Sequence, residues 1–141
     1  MISSELLFLM NINKLQSVIA RKFDSLSAHG LGFNDFVILY ILIQSSESKM
    51  RRIDLAEKIG VTASGITRLL NPLEKIGLIA RETNERDARV SYVVITPNGK
   101  KIFEEAKITA EYATKDILVS KKNKTLQTAA ELLADLGGNI K

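Results

Sequence analysis

Two clusters of hydrogen-bonding side chains lie between positions 62 and 89. If residues 63–73 form a helix with its apolar side chains turned inward, the outward face presents small residues, hydroxyls, a guanidinium and an amide. Hydroxyls and guanidinium groups of this kind bind base edges or phosphates. The candidate residues of this cluster are Thr62, Ser64, Thr67, Arg68 and Asn71. The alternative interpretation is a solvated helix face without a ligand.

The second cluster lies in the polar segment 83–89 and contains Arg86, Asp87 and Arg89. Arginines on an extended loop suit the narrow, electronegative minor groove of duplex DNA. Asp87 lies between the two arginines and is placed to hold one guanidinium. The alternative is a charged turn that only keeps a strand edge soluble.

The sequence contains few of the residues that an active site or a metal site needs. It has no cysteine and a single histidine, His29, which excludes disulfides, thiolate ligands and the usual zinc site built from several His or Cys ligands. It also lacks a glycine-rich phosphate loop, a plausible nucleophile–histidine pair and carboxylates at a metal-ligand spacing. We therefore expect no catalytic activity, no cofactor and no metal.

The first cluster needs a helix to position it, and residues 54–70 have the pattern of a helix-turn-helix. Ala56 is small enough for two helices to approach, Gly60 lies where the tight turn needs a positive φ, and Thr62 follows as an N-cap. The second helix of such a motif enters the major groove. An ordinary helical hairpin is the alternative. The apolar positions of the motif are Leu55, Ile59, Val61, Ile66 and Leu69.

The second cluster needs a hairpin. Residues 78–82 and 90–95 are two short, largely apolar runs on either side of the charged segment, which predicts two strands with the arginines at their tip.

Four further helices are predicted: 5–29, 36–43, 96–118, and a last one that Ser120 caps and Gly137 ends. The third of these has Thr96 as its N-cap and Pro97 in its first helical position. Segment 36–43 also permits a β-strand, but its length and the lack of nearby turn residues favour a helix. A polar loop is expected over 45–49. Residues 6–10 are apolar on every side of the first helix, which indicates burial against another subunit.

Length and charge set broad limits. A chain of 141 residues suits one domain, and a net charge of +4 is compatible with nucleic acid, as it is with many other partners. The apolar run near the N-terminus is short and follows no basic residue, so it predicts neither a signal peptide nor a membrane span. We expect a cytoplasmic protein.

With these elements in place, the sequence resembles the MarR family of bacterial transcriptional regulators from about residue 31 to 106, and in its order of elements over the whole chain. The residues that support the resemblance are Leu55-Ala56-Glu57, Val61-Thr62-Ala63-Ser64, Thr67-Arg68-Leu69, Leu73 to Ile79, Asp87-Ala88-Arg89 and Ile95 to Gly99.

The resemblance implies a mainly α fold with a small β-hairpin: a winged helix-turn-helix lobe (30–100) and a helical dimerisation region (1–29 and 101–141) within one domain over 1–141. It implies a homodimer that binds a pseudo-palindromic operator in double-stranded DNA, with Asp87 and Arg89 acting in the wing and Ser64, Thr67 and Arg68 on the recognition helix. It also implies a repressor that a small aromatic or anionic effector releases.

The effector site is the least specified part of this expectation. Candidate pocket residues from the first two helices are His29, Phe33 and Tyr40. The alternative is that Phe33 and Tyr40 belong to the core and His29 only ends a helix. Two other functions stay open: a winged-helix module that binds protein, and an architectural DNA binder without a specific operator.

Overall fold

The computed structural model describes residues 1–118 and 123–141. The predicted fold class is confirmed, since helices dominate and the strands form one small antiparallel sheet. Within the described residues the helices are α1 (Ser4–Lys22), α2 (Phe33–Gln44), α3 (Arg52–Ile59), α4 (Ala63–Lys75), α5 (Pro97–Ile117) and α6 (Asn123–Asp135), and the strands are β1 (Lys49–Arg51), β2 (Ile79–Thr83) and β3 (Ser91–Ile95).

The helix predicted over 5–29 is in fact two helices. α1 ends at Lys22, and a 3-10 helix follows over Asp24–His29 before Gly30 turns the chain with a φ of 76°. The junction is at Phe23, which is buried and whose ring stacks on Phe33 at 4.2 Å between centroids. Apolar spacings of three and four residues fit both helix types, so periodicity did not reveal the change.

α2 is a helix, as predicted, and the alternative of a β-strand is wrong. Its side chains Ile38, Leu39 and Leu42 are completely buried. Phe36, on the same helix, stacks on Phe103 of α5 at 4.7 Å between ring centroids. The apolar character all round α2 therefore reflects neighbours on several sides.

The sheet has three strands in the order β1–β3–β2, one strand more than the predicted hairpin. The segment expected to be a polar loop contains a short 3-10 helix (Ser46–Ser48) and the first residue of β1. Lys49 of β1 donates a hydrogen bond across the sheet to Glu82 of β2, with 2.7 Å between Nζ and Oε1. A three-residue strand with one apolar side chain, Met50, is too short to show an alternating pattern.

A tight corner joins β3 to α5. Thr96 caps α5 by accepting a hydrogen bond from the Gly99 N–H (3.0 Å), and its own hydroxyl donates to the Gly77 carbonyl (2.7 Å). The Thr96 N–H donates to the Leu78 carbonyl at 3.0 Å. The cap predicted at Thr96, with proline in the first helical position, is confirmed.

The two terminal helices expose apolar side chains. Residues 6–10 of α1 are between 44% and 51% exposed, and α6 exposes Leu126, Leu132 and Leu133, with Leu136 exposed just after its end. The predicted cap at Ser120 lies outside the described residues. Within the described parts of the chain, no helix has the length and apolarity needed to cross a lipid bilayer.

Candidate nucleic-acid interface

The turn between α3 and α4 has the geometry that the sequence predicted. Gly60 adopts a φ of 87°, and its N–H donates to the Ala56 carbonyl at 2.9 Å. The Val61 N–H donates to the same carbonyl at 3.0 Å. Leu55 and Ile66 are completely buried, one on each helix, so both helices are fixed to one core.

Thr62 begins α4, and its hydroxyl is used within the helix end. It accepts a hydrogen bond from the Gly65 N–H at 3.0 Å and lies 3.2 Å from the Ser64 hydroxyl. Thr67 is half-buried and donates its hydroxyl to the Ala63 carbonyl at 3.1 Å. Both threonines therefore help to shape the helix, while their remaining lone pairs can still accept hydrogen bonds.

The rest of the predicted cluster faces solvent. Ser64, Arg68 and Asn71 are exposed on α4, whereas Ile66, Leu70 and Leu73 are buried beneath it. Among the described residues, no carboxylate lies within ion-pair distance of Arg68. α4 thus presents a polar face with a free guanidinium, which is what contact with base edges and phosphates requires.

The wing, which consists of β2, β3 and the loop 84–90 between them, is fixed to the C-terminal end of α4. The Leu78 N–H donates to the Leu73 carbonyl at 3.0 Å across a turn in which Gly77 has a φ of 81°. Arg81 of β2 forms an ion pair with Glu74 of α4, with 3.1 Å between Nε and Oε2. These contacts hold the hairpin at a set angle to the helix.

At the wing tip, Asp87 holds Arg89 as expected. The carboxylate accepts hydrogen bonds from the Arg89 backbone N–H (3.0 Å), from Nε (3.1 Å) and from Nη2 (3.4 Å). These bonds, first from the side chain and then from the backbone, lower the pKa of Asp87 below its ordinary value, and the positive charge of Arg51 adds to the effect. The Asp87 carboxylate is therefore ionised at neutral pH, and the Arg89 side chain, 92% exposed, is oriented before any ligand arrives.

Arg86 has a different setting from Arg89. Its backbone N–H donates to the Asn84 side chain at 2.8 Å, which shapes the turn, and the residue is exposed. In the part of the chain that the structure describes, its guanidinium forms no ion pair. Arg86 is thus available to a ligand but is not held in one orientation.

A cleft lies between the start of α4 and the wing, and Arg89 is the one member of the two predicted clusters that lines it. This cleft, of about 240 Å³, is lined by Ala63 at the start of α4 and by Arg89 of the wing. Arg51 and Arg52 also line it, and the sequence analysis missed both. Their signal was weak: two adjacent arginines ahead of the helix-turn-helix become part of the site only once β1 pairs with the wing strand.

The effector candidates are all engaged in contacts within the lobe and its neighbouring helices. His29 Nε2 lies 2.8 Å from the Thr109 hydroxyl of α5. Phe33 stacks on Phe23, and the Tyr40 ring lies 6.3 Å from that of Phe103. These contacts fit the structural alternative stated for each residue.

A separate open groove of about 620 Å³ lies beside Thr109. Its lining is Lys22, Ser25, Ile108, Thr109, Tyr112, Ala113, Asp116 and Ile117.

A comparison with family models identifies this arrangement. Residues 33–91 match the model of the MarR family. This segment of the chain is similar to the MarR family. The match spans α2, the helix-turn-helix and the wing to the first residue of β3, and so includes every candidate DNA-contacting residue named above.

Similarity to one bacterial regulator extends beyond that segment. The HTH-type transcriptional regulator YdgJ of Bacillus subtilis (strain 168), described as uncharacterized, is 25% identical over 138 residues, which cover 98% of this chain and 82% of that protein.

Two solved structures share the fold. Sco3205, a MarR family regulator of Streptomyces coelicolor crystallised in complex with DNA, superposes with a TM-score of 0.83 at 17% identity, over 96% of this chain and 88% of that one. The organohalide-sensing regulator RdhR-CbdbA1625, in a form that holds 2,4-dichlorophenol, superposes with a TM-score of 0.84 at 19% identity, over 96% and 80%.

Proposed function

We propose that this protein is a transcriptional regulator that binds duplex DNA sequence-specifically as a homodimer. The observation that supports this most directly is the shared cleft, because it places the wing arginine Arg89 beside the start of the recognition helix α4. A helix in the major groove and a wing in the adjacent minor groove must face the duplex from the same side. The similarity in fold to the DNA-bound Sco3205 supports the same function.

Each candidate side chain is assigned a role according to its position on α4 or on the wing. The exposed side chains of Ser64, Arg68 and Asn71 are assigned to base edges and phosphates in the major groove, with Thr67 accepting one further hydrogen bond. Thr62 acts mainly by capping α4. Arg89, held by Asp87, is assigned to the minor groove, and Arg86 to a neighbouring phosphate.

The dimer is assigned to α1 and α6. Their apolar side chains, about half exposed in the single chain, form a surface that water does not favour and that a second copy covers. Two lobes related by a two-fold axis would then bind a pseudo-palindromic operator, with half-sites about one helical turn apart.

Control by a small molecule is the second part of the proposal. The groove beside Thr109 combines the apolar side chains of Ile108 and Tyr112 with the cation of Lys22, which suits a small aromatic or anionic effector. The fold similarity to a dichlorophenol-bound regulator favours this class of ligand. We assign the protein as a repressor that such an effector releases.

Selection of bound sequences from a random duplex library tests the DNA-binding part. Enrichment of a two-fold-related motif is the expected result. Binding without enrichment would indicate an architectural protein, and no binding would favour a protein-interaction module.

Release is then measured by fluorescence anisotropy on the selected duplex, with 2,4-dichlorophenol and benzoate as probes. Lys22→Gln is expected to weaken the response to benzoate more than the response to the neutral phenol. A reporter gene placed downstream of the selected duplex measures the sign of regulation, and repression is expected.

A further inference from the structure

The cleft between the recognition helix α4 and the wing is lined by three arginines, of which the wing contributes one. Arg51 ends β1, Arg52 begins α3 and Arg89 belongs to the wing, so three arginines from separate elements line one cavity. Ala63 and Ser91 are the small residues in the lining, and they leave the space between these side chains open.

Only one carboxylate among the described residues is placed to balance these cations. Asp87 is paired with Arg89, whereas neither Arg51 nor Arg52 has a carboxylate oxygen within 4.0 Å in that part of the chain. Arg51 is exposed and Arg52 half-buried, so both remain accessible to an anion. Neither Arg51 nor Arg52 therefore has an ion-pair partner among the described residues, and Asp87 acts on Arg51 only at longer range.

We propose that this cleft binds one phosphate of the DNA backbone in each lobe, with Arg51 and Arg52 as its ligands. The inference rests on the proposed function, because it places α4 in the major groove and Arg89 in the adjacent minor groove. One sugar-phosphate strand separates two adjacent grooves, and it must pass between the recognition helix and the wing. The cleft lies at that crossing and is lined by residues of both elements.

The test is a salt titration of duplex binding with Arg51→Gln and Arg52→Gln. The logarithm of affinity falls with the logarithm of salt concentration by about 0.9 for each neutralised phosphate. A dimer has two such clefts, so the double variant Arg51→Gln/Arg52→Gln should reduce the slope by about 1.8, and each single variant by less. Between 50 and 200 mM salt, wild type should then lose about 12-fold more affinity than the double variant.

Controls separate this role from a general loss of charge or of folding. Arg21→Gln removes the same charge from α1, away from the cleft, and should keep the wild-type slope. Arg52→Lys retains a cation and should also keep that slope, while thermal melting checks that each variant folds. The motif enriched from the duplex library should be unchanged in the glutamine variants, because phosphate contacts contain no sequence information.

The outcomes distinguish the two proposals. Wild-type binding with a normal slope in the double glutamine variant overturns the phosphate cleft and leaves the regulator intact. A changed motif in Arg51→Gln or Arg52→Gln also overturns it, because it would indicate base contact. A wild-type protein that binds no duplex overturns both.

Discussion

Gly99 should be intolerant of the smallest side chain, although a helix normally favours alanine over glycine. Gly99 is in the first turn of α5, where the helix passes closest to the base of the wing. A Cβ at this position would overlap the Leu78 carbonyl oxygen and lie 2.7 Å from Cγ1 of Ile95. Neither neighbour is free to move, since the Leu78 carbonyl accepts the Thr96 N–H at 3.0 Å and Ile95 is buried.

The size of the effect follows from three contributions to the free energy of unfolding. Overpacking a tight site lowers it by about 1–3 kcal/mol. Weakening the hydrogen bond to Leu78 lowers it by about 1 kcal/mol more. The better helix propensity of alanine restores about 1 kcal/mol. Gly99→Ala should therefore destabilise the protein by about 1–3 kcal/mol, or about 4–12 °C in melting temperature for a chain of this size.

The assay is thermal unfolding followed by circular dichroism at one fixed protein concentration, because a dimer melts in a concentration-dependent way. Asn98→Ala is the matched control: it is the preceding residue in the same turn, it is exposed, and its effect should stay within about 0.5 kcal/mol. If Gly99→Ala melts at or above the temperature of Asn98→Ala, the close approach of α5 to the wing is wrong.

Three further predictions concern the wing, the dimer and α5. Arg89→Ala should weaken duplex binding by about 10-fold or more while the sedimentation of the dimer is unchanged, since an exposed arginine that binds DNA contributes little to folding. Asp87→Ala should weaken duplex binding less, because the Arg89 guanidinium remains. Equal losses of affinity in the two variants would refute this order. Leu7→Gln with Leu9→Gln should raise the dimer dissociation constant in analytical ultracentrifugation, and an unchanged constant would place these side chains outside the interface. Thr109→Val removes the hydrogen bond to the chain's single histidine and should lower stability to urea by about 1 kcal/mol, whereas an unchanged midpoint would make that contact irrelevant to folding.

Local sequence signals were sufficient wherever a residue's role depends on its own backbone conformation. Gly60 was predicted from the need for a positive φ, and Thr62 and Thr96 from their capping chemistry; the structure confirms each of these roles. The pairing of Asp87 with Arg89 belongs to the same class, because the partners are two residues apart. Such features depend on residues that are close together in the chain, so they can be predicted from the sequence alone.

The features that sequence reasoning missed depend on contacts between distant segments. β1 pairs with β3, and Lys49 of β1 bonds to Glu82 of β2, but three residues cannot show a period of two on their own. At the break in the first helix, Phe23 stacks on Phe33, a contact that periodicity within the first helix does not reveal.

Because β1 was not predicted, part of the candidate DNA-binding site was not predicted either. Pairing of Arg51 with Tyr92 in the β1–β3 register brings the end of β1 next to the wing. Without β1, Arg51 and Arg52 are two cations at a helix start; with it, they line a cleft shared with Arg89. The phosphate site that we propose thus depends on β1, a strand too short to predict from the sequence. The salt slope of the glutamine variants therefore tests the position of β1 as well as the cleft.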